Sequence, residues 1–475
     1  MQTSENPTPD ASGKLGFWMC VALVMGNMIG SGVFLLPASL APFGWNGVVG
    51  WAITIAGALA LALVLARLTL AHPDAGGPVG FVNQAFGRTP SFLVGFSYWV
   101  SIWTANVTIA VAAISYLSVF VPVLGQYSAA STIALIWAVT AINLRGARAA
   151  GGFQVVTLAI KLVPLIAVVA LIAIVLGREG SSAIAPLPAE GLSLSAASGS
   201  AILTLWALLG FESASVAADK VSDPARTIPN ATMVGTLATG ALYLIVCSGI
   251  ALMLPASAVA NSDAPFAVFV ETFWAREPAL LVALFAAISA IGALNGWCLM
   301  QGALPAAMAR RGLLPGWLAG ETGNGTPARA LIISSLLASG FVVINSSKST
   351  GDLFTFMATV STSSTLWLYL ACAASALRLN VATPVATLGI GYALWTLWGA
   401  GLDVSAMTLI LMAAGLLECF EPLYGHLFQS PIGVHHGAAL FGMVQFMKWL
   451  PDVFKGLQFV EHGDEEVALK TAAGA

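Results

Sequence analysis

Charged residues are scarce in this chain, since they make up 8% of its 475 residues while 58% are hydrophobic. A soluble domain of this size needs a charged surface, so the composition excludes that class and indicates a surface that faces lipid. A net charge of -3 offers no basic surface for phosphates, and nucleic acid is therefore not expected as a partner. The sequence also lacks a phosphate-binding loop of the GxxxxGKS/T type, so we expect no ATP-driven activity.

Cysteine is present five times, and no two cysteines stand at the CxxC spacing of metal or redox sites. All five lie in apolar runs, where a thiol behaves as a small hydrophobic side chain. No other set of residues looks hydrolytic or redox-active. We therefore expect no metal, no cofactor and no enzymatic activity. The cysteines are Cys20, Cys247, Cys298, Cys372 and Cys419.

Long apolar runs dominate what is present. Runs long enough to cross a hydrocarbon core of about 30 Å occur about twelve times along the chain. They are continuous and rich in Ala and Leu, and they lack the alternation of barrel strands. The sequence therefore predicts an all-α membrane protein of about twelve transmembrane helices. The spans lie near residues 17–40, 46–69, 92–121, 127–144, 153–176, 198–217, 231–254, 278–304, 329–345, 352–377, 384–401 and 404–424.

Basic residues indicate how these spans are oriented. If the N-terminus is cytoplasmic, only Arg178, Arg276 and Lys348 fall in outer loops, as the positive-inside rule requires. Both termini are then cytoplasmic, and the protein is expected in the cell inner membrane. Residues 1–16 and 425–475 are predicted to be cytoplasmic tails. In the second tail, residues 435–457 are predicted either to lie on the membrane as an amphipathic helix or to be solvated.

A glycine-rich segment interrupts the first span at residues 26–32 (GNMIGSG). Each glycine weakens a helix by about 1 kcal/mol, so this segment favours an unwound stretch. Unwinding inside a membrane is tolerated where the backbone faces a cavity, and the amides of Ser31, Gly32 and Val33 would then bind a carboxylate. Alternatively, Gly26 and Gly30 stand at a spacing that simply permits close helix packing.

A second interruption lies in the sixth span at residues 206–213 (WALLGFES), and it strengthens the first interpretation. Paired breaks at corresponding places in two halves of a chain are typical of a transporter's binding site. The freed carbonyls near Trp206, Ala207 and Leu209 would accept hydrogen bonds from an ammonium group while the first break holds a carboxylate. Together these two groups describe an α-amino acid.

Four segments carry a family resemblance: residues 26–37 (GNMIGSGVFLLP), Tyr98-Trp99 with Asn106, residues 206–213, and residues 223–229 (DPARTIP). Up to about residue 424 the chain resembles the amino acid–polyamine–organocation superfamily, and most closely its bacterial basic amino acid/polyamine antiporters. The resemblance implies a five-plus-five inverted repeat with broken helices 1 and 6, and often a homodimer. The transporter domain would cover residues 17–424, with repeats at about 17–176 and 198–377 and two extra helices at 384–424.

The resemblance also implies a substrate site at the two breaks. The amides and hydroxyl of Ser31 and Gly32 would bind the carboxylate, and carbonyls of Met28, Trp206 and Leu209 would bind the α-amine. Trp206 would act as a gate over the substrate's aliphatic part.

The side-chain pocket implied by the resemblance departs from the family pattern, because Ser101 and Ala207 replace a cysteine and a serine of arginine–agmatine antiporters. A cationic substrate end would lie over the ring of Trp297. The predicted substrate-binding residues are Asn27, Met28, Ser31, Gly32, Ser101, Asn106, Trp206, Ala207, Leu209, Trp297 and Ser361.

Two ionisable residues lie within predicted spans, where charge is costly. Glu212 is predicted to be a pH sensor or proton-coupling group, or else to make structural hydrogen bonds to Ser or Tyr hydroxyls. Tyr98 and Trp206 are predicted to take part in gating. Lys161 matches a lysine that some members of the superfamily have in place of sodium. Its ammonium would then meet carbonyls near residues 25–28 and the hydroxyl of Ser289, so no sodium ion is expected.

These features predict a secondary active transporter that works by alternating access. It would exchange cationic amino acids or polyamines, and protons are a possible second partner. The alternative is a proton-coupled amino acid symporter of broader specificity. A channel and a non-transporting amino acid sensor remain as rivals. A channel would give flux that does not saturate, and a sensor would bind ligand without carrying it.

Overall fold

The computed structural model describes residues 16–30, 32–145, 153–212, 221 and 223–419. This part of the chain forms fifteen α-helices of nine residues or more, numbered α1 to α15 in chain order. The first seven are α1 (Phe17–Met28), α2 (Gly32–Leu40), α3 (Trp45–Ala71), α4 (Pro78–Phe86), α5 (Arg88–Ser118), α6 (Ser128–Leu144) and α7 (Phe153–Glu179). The others are α8 (Leu194–Leu208), α9 (Pro224–Met253), α10 (Pro265–Phe273), α11 (Arg276–Arg310), α12 (Ala328–Ile344), α13 (Thr350–Arg378), α14 (Thr383–Gly399) and α15 (Leu402–Cys419).

Within the described residues, each of the predicted spans contains a helix or a bent pair of helices. Six helices (α3, α5, α7, α9, α11 and α13) are long and apolar enough to cross a membrane, and up to eight spans result if each bent pair counts as one. The helices α6, α8 and α12 are shorter but apolar. The α1–α2 pair is bent by 50° and the α14–α15 pair by 110°, so we count the second pair as two spans. The expected all-α fold is confirmed, while the repeat boundaries remain a prediction.

The first span breaks where the glycines predicted it. The helix α1 ends at Met28, and Ile29 adopts an extended conformation with ψ 90° before α2 begins at Gly32. Gly30 lies against α11, since a Cβ there would be 3.2 Å from the Cβ of Ala293. Residue 31 lies outside the described residues, and so do residues 213–220, which include the last five residues of the predicted sixth span. Both predicted tails, apart from Gly16, also lie outside them.

The helix α8 ends at a second break, and this break touches the first. Leu209 is extended with ψ 141°, and Gly210 has φ +109°, a conformation that favours glycine. A Cβ at Gly210 would be 3.2 Å from the carbonyl oxygen of Asn27. The absence of a side chain at Gly210 therefore lets the two unwound segments pack directly against each other.

The core of the bundle is α5, because 94% of its most apolar stretch is buried. The helices α11 and α13 pack along it, and α6 and α12 pack beside them. Prolines within helices leave carbonyls without their usual partner, which is costly in lipid unless another group donates to them. In α2, Pro37 frees the carbonyl of Val33, and the thiol of Cys247 donates to it at 3.8 Å.

Candidate substrate site

A small cavity of about 30 Å³ lies where the two helix breaks meet. This volume accommodates about two water molecules and is far too small for an amino acid. Most of its lining residues are ones that the sequence predicted, whereas Gly30, Ala105 and Ile109 were not on that list. The lining residues are Asn27, Met28, Gly30, Gly32, Ala105, Ile109, Trp206, Ala207, Leu209 and Trp297.

The ring of Trp206 covers the N-terminal end of α2. A Cβ added at Gly32 would lie 2.6 Å from Cζ3 of Trp206, so only glycine lets the ring approach so closely. The same ring packs edge-to-face on Phe354, with the two centroids 5.2 Å apart. Trp206 therefore closes the cavity on this side, and a substrate of amino acid size enters only if the ring moves. Ser31, the other residue predicted to bind a carboxylate, lies outside the described residues.

The carbonyl of Met28 already has one partner, which sequence analysis did not identify. Tyr243 on α9 donates its hydroxyl to this oxygen at 3.0 Å, and both residues are buried. A carbonyl oxygen has a second lone pair, so this group can still accept a hydrogen bond from an ammonium. Tyr243 thus fixes the end of α1 without excluding the predicted role of Met28.

Ser101 and Ser361 lie outside the lining of the small cavity and are bonded to each other. The hydroxyl of Ser361 donates to the carbonyl of Ser101 at 2.9 Å, which joins α13 to α5. The hydroxyl of Ser101 also forms a short hydrogen bond with that of Thr365. Asn106 lies outside the lining as well, and its amide Nδ2 donates to Oε1 of Gln301 at 2.6 Å. Contacts of Ser101, Ser361 and Asn106 with a substrate remain predictions.

A second cavity, of about 870 Å³, begins one turn beyond the small one. Met300 lines the large cavity and lies one turn after Trp297 on α11, while Glu212 lines it three residues after Leu209. Arg311 and His72 line it farther out. The large cavity therefore leads from the helix breaks toward the end of the bundle that carries Arg311.

Glu212 lies in the wall of this cavity and is held by two tyrosines. Tyr98 donates to Oε1 at 2.9 Å, and Tyr369 donates to Oε2 at 3.1 Å. Its side chain is 7% exposed, and within the described ranges no basic side chain forms an ion pair with it. The predicted hydrogen bonds to Tyr hydroxyls are therefore present, and the carboxyl group also borders the cavity.

The opposite end of the bundle is closed by aromatic side chains. The rings of Phe34 and Phe266 pack edge-to-face at 5.1 Å, which seats α10 on α2. Tyr116 on α5 donates its hydroxyl to the carbonyl of Phe34 at 2.6 Å. The bundle is thus open toward the end with Arg311 and closed at the other.

Lys161 on α7 makes one of its two expected contacts. Its Nζ donates to the carbonyl of Gly26 at 3.0 Å, within the predicted segment of α1. The expected bond to Ser289 was wrong for this structure, because the Ser289 hydroxyl is buried without a hydrogen-bond partner. An ammonium group has three donors, so the bond to Gly26 does not itself exclude Ser289; the Ser289 hydroxyl lies beyond hydrogen-bond distance of Nζ in this structure.

Comparison with known proteins gives concordant matches. A family model described as amino acid permease matches residues 15–420. The cadaverine/lysine antiporter of Escherichia coli (strain K12) is 33% identical over 341 residues, which cover 70% of this chain and 74% of the antiporter. The putrescine transporter PotE of the same strain is 27% identical over 410 residues, covering 82% of this chain and 92% of PotE. PotE of Haemophilus influenzae is 30% identical over 406 residues, with the same coverage of 82% and 92%.

Proposed function

This chain belongs to the amino acid permease family, and from that premise we propose that it is an antiporter for cationic amino acids and their decarboxylated amines. The names of its relatives support this choice, because cadaverine, lysine and putrescine all carry an ammonium group at the end of an unbranched chain. We propose lysine, cadaverine and putrescine as the first solutes to test.

The observation that carries the proposal is the contact between the two helix breaks at the small cavity. Unwound segments supply main-chain amides and carbonyls in the membrane interior, and these groups suit a carboxylate and an ammonium respectively. The carbonyls of Met28 and Leu209 would receive the α-amine, and the amides at Ser31 and Gly32 would receive the carboxylate. The ring of Trp297, in the cavity wall, would attract a cationic side chain.

The difference between the two ends of the bundle supports a transport cycle with alternating access. The large cavity supports an arrangement that is open to the cytoplasm, if the end with Arg311 is the cytoplasmic one, as the basic residues favour. Substrate would enter along Glu212 and Met300, displace Trp206, and occupy an enlarged site. Separation of Phe34 from Phe266 would then open the other end. Both termini would be cytoplasmic, and the protein would reside in the inner membrane as a homodimer, as in related transporters that it resembles.

Proton-coupled symport is the second candidate, and the position of Glu212 favours it. Glu212 borders the large cavity and has no basic partner in the described part of the chain, and a carboxyl group in such a place within a membrane protein suits a proton-coupling role. Lys161, bonded to Gly26, would take the place of a sodium ion, and transport would be independent of sodium.

A competition panel in proteoliposomes tests the proposed substrates. Uptake of labelled cadaverine should saturate, and unlabelled lysine and putrescine should compete with it. Neutral amino acids of similar length should compete more weakly. Uptake that rises linearly with concentration would indicate a channel, and binding without uptake would indicate a sensor.

A further inference from the structure

A chain of buried polar side chains connects α12 through α11 to α5. Gln301 on α11 lies at its centre and is 1% exposed. Its Nε2 donates to the hydroxyl of Ser335 at 2.9 Å and lies 3.7 Å from the sulfur of Cys298. Its Oε1 accepts from Nδ2 of Asn106 at 2.6 Å. Both ends of the Gln301 amide are therefore engaged.

The backbone of Gln301 is held as well. Pro305, four residues later in α11, has no amide hydrogen to give to the Gln301 carbonyl. The hydroxyl of Ser334 on α12 donates to that carbonyl at 2.9 Å, and the indole of Trp99 in turn donates to Ser334 at 2.8 Å. Neighbouring serines of one helix thus fix both the main chain and the side chain of Gln301.

The direction of these hydrogen bonds determines how Gln301 is oriented. The single proton of the Ser335 hydroxyl is taken either by the carbonyl of Leu331 at 3.0 Å or by the oxygen of Thr140 at 2.8 Å. The oxygen of Ser335 is then left to accept from Gln301, which turns Nε2 toward α12 and Oε1 toward α5. Two facing amides bond only when one presents its oxygen and the other its NH2 group. The orientation of Gln301 therefore dictates that of Asn106.

In this orientation the side-chain oxygen of Asn106 accepts no hydrogen bond. The Oδ1 atom is buried and has no hydrogen-bond partner, which is uncommon for a polar atom in a protein interior. On α5, Asn106 follows Ala105 and lies about 60° around the helix from Ile109. Both of those residues line the small cavity, and Trp297, which also lines it, lies one turn before Gln301. The free acceptor is therefore next to the predicted position of the substrate's distal end.

We propose that Gln301 is a positioning residue for substrate specificity. It holds the Asn106 amide with Oδ1 available as an acceptor for the distal ammonium of the substrate. A freely rotating amide would offer NH2 as readily as oxygen, and so would discriminate less between an ammonium and a methyl group. This inference rests on the proposed function, since it requires a substrate with a distal ammonium.

Lysine and norleucine provide the probe, because they share an α-amino acid head and differ in whether the side chain ends in an ammonium or a methyl group. Their relative potency as competitors of labelled cadaverine uptake measures recognition of the distal group. In Gln301→Met the preference for lysine should fall about tenfold, because a charge-assisted hydrogen bond loses its fixed acceptor. In Ser335→Ala, where Cys298 still accepts from Gln301, the preference should fall by about threefold. Ser339→Ala, one turn further along α12, is the matched control and should leave it unchanged.

The Asn106→Asp variant tests whether Gln301 positions the side chain at residue 106 or only stabilises the fold. A carboxylate has two equivalent oxygens and needs no orientation, so adding Gln301→Met there should change the preference by less than about twofold. An equal loss of lysine and norleucine potency in Gln301→Met, or an unchanged ratio in both Gln301→Met and Ser335→Ala, would overturn the proposal alone. If Gln301→Met does not fold, Ser335→Ala decides the question. A wild type in which lysine fails to compete would instead overturn the proposed function.

Discussion

A methyl group added at Gly32 would point into the ring of Trp206. The added Cβ would lie 2.6 Å from Cζ3, 3.1 Å from Cε3 and 3.2 Å from Cη2 of that ring. Contacts below 3.0 Å force one of the two groups to move, and the indole is also held by its edge-to-face contact with Phe354. Gly32→Ala should therefore destabilise the arrangement in which Trp206 closes the cavity.

The size of the effect follows from the cost of overpacking. Inserting a methyl group into a well-packed core costs about 1–3 kcal/mol, which corresponds to roughly a 5- to 150-fold change in the population of the closed arrangement. If closure of Trp206 is a step of the transport cycle, the rate of exchange in Gly32→Ala should fall within that range. The assay is the initial rate of labelled cadaverine uptake by proteoliposomes that contain lysine.

A control variant and a double variant test this explanation. Gly292→Ala on α11 is the matched control, since a Cβ there has no atom within 4 Å, and it should retain the wild-type rate. In a Trp206→Leu background the ring is absent, so adding Gly32→Ala should cost little more. A Gly32→Ala variant that exchanges as fast as Gly292→Ala would refute the argument, and so would a full additional loss in the Trp206→Leu background.

Three further predictions concern the remaining site residues. Trp297→Leu should weaken the binding of lysine more than that of norleucine, by about 0.5–2 kcal/mol in competition assays. Equal losses of binding for the two competitors would mean that the Trp297 ring only packs. Glu212→Gln should flatten the pH dependence of exchange while the matched variant Tyr369→Phe, which removes one donor to Glu212, retains it; an unchanged profile in Glu212→Gln would leave the carboxyl a structural group. Lys161→Ala should lower the thermal midpoint in detergent, because a charge-assisted bond of about 1.5–3 kcal/mol to Gly26 is lost, and wild-type exchange should be indifferent to replacing sodium by choline. Sodium-dependent exchange would contradict this assignment of Lys161.

The helix breaks could be predicted from the sequence because their causes are local. Glycines at 26, 30 and 32 interrupt an apolar run, and α1 ends at Met28 among them. Gly210 marks the other break and has a positive φ. The contact of Lys161 with Gly26 was also predictable, since an isolated ammonium inside a membrane must find a carbonyl.

The partners of distant residues could not be predicted in the same way. Tyr243 meets Met28 across 215 positions of sequence, and Asn106 meets Gln301 across 195. The local pattern places Gln301 within the apolar span 278–304 but does not indicate which distant side chain it contacts. The closed position of Trp206 was equally inaccessible, because a sequence specifies all states of a transport cycle and a structure describes one of them.

Exchange itself is the most direct test of the central claim. Proteoliposomes loaded with lysine, and matched empty ones, would be diluted into labelled cadaverine with no pH gradient and with sodium replaced by choline. We predict saturable uptake that is accelerated at least severalfold by internal lysine, with one lysine leaving for each cadaverine that enters. Uptake that is equally fast into empty vesicles, or that requires a pH gradient and ignores internal lysine, would contradict antiport.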